Sequence, residues 1–525
     1  MTKETRTCAA CVSAGLGMLS LAVPAAAQPE YRVRAVAEFG GRQTYSTADN
    51  FAISGGEVRA ELRREIGPSE WISGIYAGTS LANLRTILEE GLSVLPLPDG
   101  GTGSVSEILD AAFAPGGLAL VAAVLQDGRH GLWTMNGPAG HETFSPVLIT
   151  GEPLGGSTVA AVNAWSLRVH DTGVIAAMVY LASGEPVVVA GTPEALRVAV
   201  RPGQVLPDGT IIQTLGGPLP GDWTALELPM WLASDGSVRT VVTVSDGTPD
   251  AEEATAVVVE AGEGPRTLVR TVSAGSASAE AQRPFEIHDV RATSDGSLSL
   301  VGPVSHANGG FVVTVWSVTP DGEVTLGARN SELGPPYIYN PKFSHAENPS
   351  PQWKNIGFVP FAGGDLAGIV TDSWGINSFL ARVHQGNAEL LTFGLQEPSP
   401  LFRGAFPAQS YVEFAAEPGG GFLTDWGMGL PDRKQGYAVW AMNLSEQQSR
   451  IVVRQDRPLL AGPGLRFDNL LGPMAWFPAS TGGDGRGQRI DADGRAVFTA
   501  YPYVLYAEPV GDCPQDVNDD GTVDV

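Results

Sequence analysis

A glycine-centred turn between short apolar runs recurs along the whole chain, and a period of this kind dictates one small unit folded many times over. The copies are Ser54-Gly-Gly56-Glu-Val58, Pro115-Gly-Gly117-Leu-Ala, Asp171-Thr-Gly173-Val-Ile, Ser234-Asp-Gly236-Ser-Val, Ser294-Asp-Gly296-Ser-Leu, Gly363-Gly364-Asp-Leu, Gly420-Gly421-Phe-Leu and Asp493-Gly494-Arg-Ala-Val. They are separated by roughly 56 to 74 residues. Gly, Asn and Asp at such turns allow the left-handed backbone of a tight hairpin, and the flanking β-branched residues favour strands.

A second pair of apolar runs follows each hairpin. Examples are Gly131–Met135 with Phe144–Ile149, Pro186–Ala190 with Ala195–Val200, Phe311–Trp316 with Glu323–Leu326, and Tyr437–Trp440 with Arg450–Arg454. Four short strands per unit of about 60 residues is the content of a propeller blade. The expectation is therefore an all-β β-propeller of seven or eight four-stranded blades. Tyr31–Glu38 is expected to close the ring by pairing with the last blade around Val504–Ala507, which removes an open strand edge. Two smaller β-domains or a sandwich array are the rival architectures, and Leu81–Gly91 carries a weak helical pattern.

The two ends read differently from this body. Lys3 and Arg6 precede a weakly apolar run from Cys8 to Pro24, then Ala25-Ala26-Ala27 before Gln28. That order is a secretory signal cleaved after Ala27. It divides the chain into a signal peptide at 1–27, a repeat domain at 28–508 and a tail at 509–525. The exported chain is expected to be secreted, extracellular or at the cell surface, with no membrane span. Cys513 is then its single thiol, so an internal disulfide is excluded.

In the tail, Asp516, Asn518 and Asp520 place hard oxygens at positions one, three and five of a calcium loop. Gly521 permits the turn at six, Thr522 offers its carbonyl at seven, and Asp524 falls at nine. The twelfth position would fall beyond Val525, so a truncated, weak calcium loop is expected. This end, with Gly511-Asp512-Cys513-Pro514 before it, resembles the first half of a dockerin type I repeat. The resemblance implies calcium as cofactor and a cohesin-like or surface-anchoring protein as partner. The body is similar to an exported bacterial tandem-repeat family with N-x-x-G-x-x-A-F motifs and varied C-terminal anchors. Asp491-Ala-Asp-Gly494-Arg-Ala-Val497-Phe498 is the best match, and Val200-Arg-Pro-Gly203-Gln-Val-Leu-Pro207-Asp-Gly209, echoed by Thr150-Gly-Glu-Pro153-Leu-Gly155, resembles that family's repeat end.

The charge narrows the partners. With 57 acids against 32 bases and a net charge of −25, the chain repels a phosphate backbone, so no nucleic acid is expected. No catalytic constellation emerges: G-x-S-x-G, Walker and H-E-x-x-H patterns are missing from the sequence. His170-Asp171 and His288-Asp289 are sequence neighbours that alternate across a strand, so neither forms a dyad. One stretch interrupts the repeat: Leu333–Asn355 carries Tyr337, Tyr339, His345 and Trp353 among several prolines, a candidate ligand loop whose aromatic faces suit sugar rings. These readings point to a non-catalytic binding or surface protein displayed through the tail, with glycan as a candidate ligand. The alternative is a polysaccharide-active enzyme or carbohydrate-binding propeller delivered by the same anchor.

Overall fold

The computed structural model describes residues 31–38, 51–67, 70–164, 166–216, 229–248, 253–273, 283–284, 286–287, 289–293, 295–305, 311–329, 357–360, 366–371, 378–384, 387–390, 406–409, 414–416, 421–429, 435–443, 448–454, 485, 487–500 and 503–510. They form eight consecutive antiparallel sheets, the blades of a β-propeller. The strands of each are given from the inner edge outward. Blade one is Phe51–Ser54, Glu57–Gly67, Glu70–Gly78 and Arg85–Glu89. Blade two is Thr102–Phe113, Ala119–Leu125, His130–Asn136 and Thr143–Ile149, with Val94–Pro96 forming a crossover hairpin with the start of Thr102–Phe113. Blade three has a split inner strand, Ser157–Val162 and Arg168–Val169, then Ile175–Leu181, Pro186–Gly191 and Arg197–Val200, and Pro153–Leu154 forms a crossover hairpin with Ser157–Val162.

Blade four repeats the split with Ile211–Leu215 and Met230–Leu232, followed by Val238–Ser245, Ala254–Glu260 and Pro265–Arg270. Blade five is Asp289–Ala292, Leu298–Ser305, Phe311–Val318 and Val324–Arg329. Blade six is Gly357–Pro360, Leu366–Thr371, Ser378–His384 and Asn387–Leu390. Blade seven has Phe406–Gln409 and Phe414–Ala416 inside, then Gly421–Gly429, Gln435–Asn443 and Gln448–Arg454. Blade eight is built from both ends of the domain: Ala496–Ala500 pairs with Tyr503–Pro509, whose other edge pairs with Tyr31–Glu38. Arg34 stands opposite Tyr506 and Ala35 opposite Leu505, the closure expected from the sequence.

The sheets of blades two, three and four are apolar on both faces, which is why their central strands read as continuous rather than alternating apolar runs. Successive side chains on a strand point to opposite neighbours. Thus Val187 and Val189 pack toward Leu120 and Leu132 of blade two, whereas Val188 and Ala190 pack toward Val242 and Val258 of blade four. Trp133 lies between blades two and one with Ile75 and Leu88, and Trp316 lies between blades five and four with Val241 and Val257. Both indoles are buried, as expected for blade-to-blade core. Leu505 packs with Val439 of blade seven, and Val504 packs with Phe51 of blade one, so the core runs through the closure.

The helical pattern over Leu81–Gly91 is overridden: Arg85–Glu89 forms the outer strand of blade one against Glu70–Gly78. Pairing to an existing sheet edge satisfies backbone groups and buries Leu88, which a short isolated helix could not do.

Gly485 and residues 487–490 run past the inner strands of other blades before reaching blade eight. Gly485 O accepts from Val169 N at 2.9 Å, Gln488 O accepts from Ile53 N at 2.8 Å, and Ile490 bridges Ala496. A Cβ at Gly487 would sit 2.4 Å from Ala52 Cβ, so only glycine lets the backbone lie this close. The guanidinium of Arg489 stacks on Phe51 at 3.4 Å from the ring centroid, tying the last blade to the first.

Candidate functional site

The calcium loop residues Asp516, Asn518, Asp520, Thr522 and Asp524 lie outside the described residues, as do Tyr337, Tyr339, His345 and Trp353. The aromatic-rich stretch connects the outer strand of blade five, ending at Arg329, to the inner strand of blade six, starting at Gly357. Among the described residues no group of three or more His, Cys, Asp or Glu is placed to hold a metal ion. His170 and Asp171 go separate ways: His170 Nδ1 meets Thr172 Oγ1 at 3.2 Å, while Asp171 Oδ1 accepts from Gly116 N of the neighbouring blade at 2.6 Å.

That second contact belongs to a series that locks one end of the ring. Ser54 Oγ donates to Ala114 O, and Arg59 Nη1 donates to Gly117 O, so the first turn of blade one is held by the first turn of blade two. Farther out, Arg85 binds Glu142 and Arg197 binds Glu260, each reaching from an outer strand to the last turn of the next blade. Partners in these links are 55 to 63 residues apart, the period of the sequence repeat. Repetition in the chain thus becomes contact between blades.

The Asp-Gly turns are held by their own side chains. In Asp235-Gly236-Ser237, Asp235 Oδ1 accepts from Ser237 N at 2.8 Å and from Ser237 Oγ at 2.5 Å; Asp295 and Ser297 repeat the backbone bond at 2.9 Å. Burial pushes the Asp235 and Asp295 carboxyls up, but these hydrogen bonds and the Arg239 charge outweigh it and hold both below the ordinary value. Arg239 is pushed down by its own burial, against the pull of the same two carboxylates.

The outer strands carry a second repeated feature. A one-residue bulge falls at the same place in seven of the sheets. It lies between Ala35 and Ala37, between Pro146 and Leu148, and between the partners of Ile75/Tyr76, Val188/Val189, Val257/Val258, Val315/Trp316 and Val439/Trp440. The bulge fixes which outer-strand residues are equivalent. Arg85, Arg197 and Arg266 then share one position and one role. Arg266 donates to Pro320 O and Asp321 O of blade five, as the other two bind the next blade's turn.

Beside Arg266 a cleft of about 420 Å³ opens between blades four and five. Its walls are Asp208, Thr267–Arg270, Arg283, Gly322 and Val324. Asp208 sits in a short hairpin that leads into the inner strand of blade four, closed by Leu206 N to Thr210 O at 2.8 Å. Its carboxylate accepts from Thr210 N, Thr210 Oγ1 and Thr267 Oγ1 at 3.0, 2.6 and 3.1 Å. Burial works to raise this carboxyl, but the Thr210 and Thr267 hydrogen bonds and the nearby Arg270 charge keep it below the ordinary value. Sequence reasoning passes over these residues; the signal that could find them is the parallel between Arg197-Val-Ala-Val-Arg201 and Arg266-Thr-Leu-Val-Arg270.

No family model matches the chain, and no curated protein matches it. Among solved structures it is similar to the WD40 domain of SCAP from fission yeast, at 8% identity over 91% of this chain and 95% of that one, with a TM-score of 0.31. YCF48 from Cyanidioschyzon merolae matches at 14% identity over 79% and 98%, with a TM-score of 0.29. An α-L-arabinanase from Penicillium chrysogenum, complexed with arabinobiose, matches at 12% identity over 67% and 97%, with a TM-score of 0.27. At these scores no argument passes from those proteins to this one. The fold follows from the sheet order, the repeated links and the closing strand; no helix among the described residues is long and apolar enough to cross a membrane.

Proposed function

We propose that this chain is an exported, non-catalytic binding protein that presents a rigid propeller at the cell surface through its dockerin-like tail, with glycan as ligand. The observation that carries the reading is the polar cleft set in a ring pinned blade to blade, because a preorganised wall costs little to order when a ligand binds. The signal at 1–27 supports export, and the oxygen-rich loop at Asp516–Asp524 supports a calcium-dependent anchor to a cohesin-like or other surface protein.

The test is fractionation of cells expressing the native chain, followed by washing of the envelope with a calcium chelator. The reading expects the protein in the envelope fraction and its release on chelation. Retention in the cytoplasm, or an envelope pool indifferent to calcium, would contradict it.

A further inference from the structure

The repeat supplies an internal control for the cleft at blade four. In blade three the equivalent outer-strand position to Thr267 is Val198, and the crossover hairpin turns through Gly155-Gly156 instead of Pro207-Asp208-Gly209. Gly155 lies so close that an added Cβ would be 2.7 Å from Val198 Cγ2, so apolar contact closes the space. Arg201, the equivalent of Arg270, is engaged by Glu185 through Nε at 2.9 Å and Nη2 at 2.7 Å.

Blade four changes all three elements. Valine becomes Thr267, the glycine turn gains Asp208, and Arg270 makes no ion pair with Glu253, which precedes its strand as Glu185 precedes the strand in blade three. Among the described residues the exposed Arg270 guanidinium has no hydrogen-bond or ion-pair partner, although the chain carries a large excess of acids. The wall is nonetheless fixed, because Arg266 holds the turn of blade five and Gly322 packs on Leu268.

We propose that this cleft binds the carboxylate-bearing ring of an acidic saccharide, a specificity that rests on the glycan-binding reading above. Arg270 offers the planar fork that receives a carboxylate. Asp208 accepts from ring hydroxyls, Thr267 is a second polar contact, and Leu268 with Gly322 presents an apolar wall to the ring's C–H face. Arg283 adds a cation at the rim.

The experiment is calorimetric titration of the full chain with a galacturonic acid trimer, the free monomer, a neutral galactose trimer and inorganic phosphate. The acidic trimer should bind, the neutral one should bind at least about tenfold more weakly, and Arg270→Ala should lose about tenfold or more for the acidic trimer alone. The double variant Thr267→Val with Asp208→Gly, which copies blade three, should lose binding with its near-ultraviolet circular dichroism intact. Monomer affinity matching the trimer assigns a free sugar acid as ligand; trimer preference assigns a polymer. Equal affinity for neutral and acidic trimers, or phosphate binding as well as the acid, overturns the specificity. Acidic binding untouched by Arg270→Ala overturns the cleft and leaves the glycan-binding reading standing, whereas binding to no saccharide overturns both.

Discussion

Blades three and four share an outer strand in nearly every respect, with an arginine at each end, a bulge between them and the same reach to the next blade, yet one is closed and the other is open. The first arginine of each, Arg197 or Arg266, is scaffold: it pins the next blade. The second differs by context, since Arg201 meets Glu185 and Arg270 meets a cleft. A repeat protein can therefore hold its architecture with one set of positions and vary chemistry with another. Between these two blades the variable set is Thr267 on the outer strand, Asp208 on the hairpin before the inner strand, and the acidic partner of the second arginine.

The largest effect should come from the scaffold. Glu260 is buried and accepts from Arg197 and from Gly262 N, so Glu260→Ala should cost about 2–3 kcal/mol in denaturant unfolding. Arg266→Ala, which removes only exposed bonds to carbonyls, should cost less than about 1 kcal/mol. Equal losses would mean that the two pins are not distinguished by burial.

Next comes the closed turn of blade three. Gly155 has φ +57 and contacts Val198, so Gly155→Ala should destabilise by about 1–2 kcal/mol. Adding Val198→Ala should recover part of that loss, because the methyl that clashes is gone; strictly additive losses would show that Val198 does not close the space.

Smaller still is Thr267→Val in blade four, expected to cost about 0.5 kcal/mol at neutral pH by removing one hydrogen bond from Asp208. The sign with pH is fixed. A carboxyl held below its unfolded value contributes stability above that value, about 3.9 for Asp, and the contribution is lost as pH falls through the folded value. The deficit of the variant should thus shrink on acidification, and a deficit that grows in acid would contradict the role given to Thr267. Least of all, Arg201→Ala and Arg270→Ala should each change stability by no more than about 0.5 kcal/mol, so thermal melts that separate them sharply would break the equivalence.

Much of the fold was legible because turn chemistry repeats. The glycine at Gly173, Gly236 and Gly296 marks the first hairpin of blades three, four and five, and each has the left-handed φ that such turns require. The pairing of Tyr31–Glu38 with the last blade was also legible, since a propeller lacking one strand needs it from the other end. The outer strand of blade one was not, because a five-residue segment next to turn residues has too little periodicity to separate helix from strand. The ambiguity between seven and eight blades had a related cause: the inner edge of blade eight, Gln488–Ile490, makes single bridges instead of a long apolar run. The cleft was hidden for a further reason. Arg201 and Arg270 look alike in sequence, and what separates them is that Glu185 engages Arg201 from the preceding turn of its own blade, whereas Arg270 lines the cleft beside Asp208, about 60 residues back in the chain.

The central claim is a closed eight-bladed ring in which the first strand completes the last sheet. Its most direct test is a cysteine pair at Val33 and Ala507, which are opposed in that sheet, in a chain whose Cys8, Cys11 and Cys513 are replaced by serine. The ring predicts rapid formation of one intramolecular disulfide under mild oxidation, seen as faster migration on a non-reducing gel and lost when Val33→Cys is combined instead with cysteine at a strand position of another blade, such as Val241 in blade four. Free thiols at both positions in the folded protein, or bridges formed only between molecules, would contradict the closure and with it the ring.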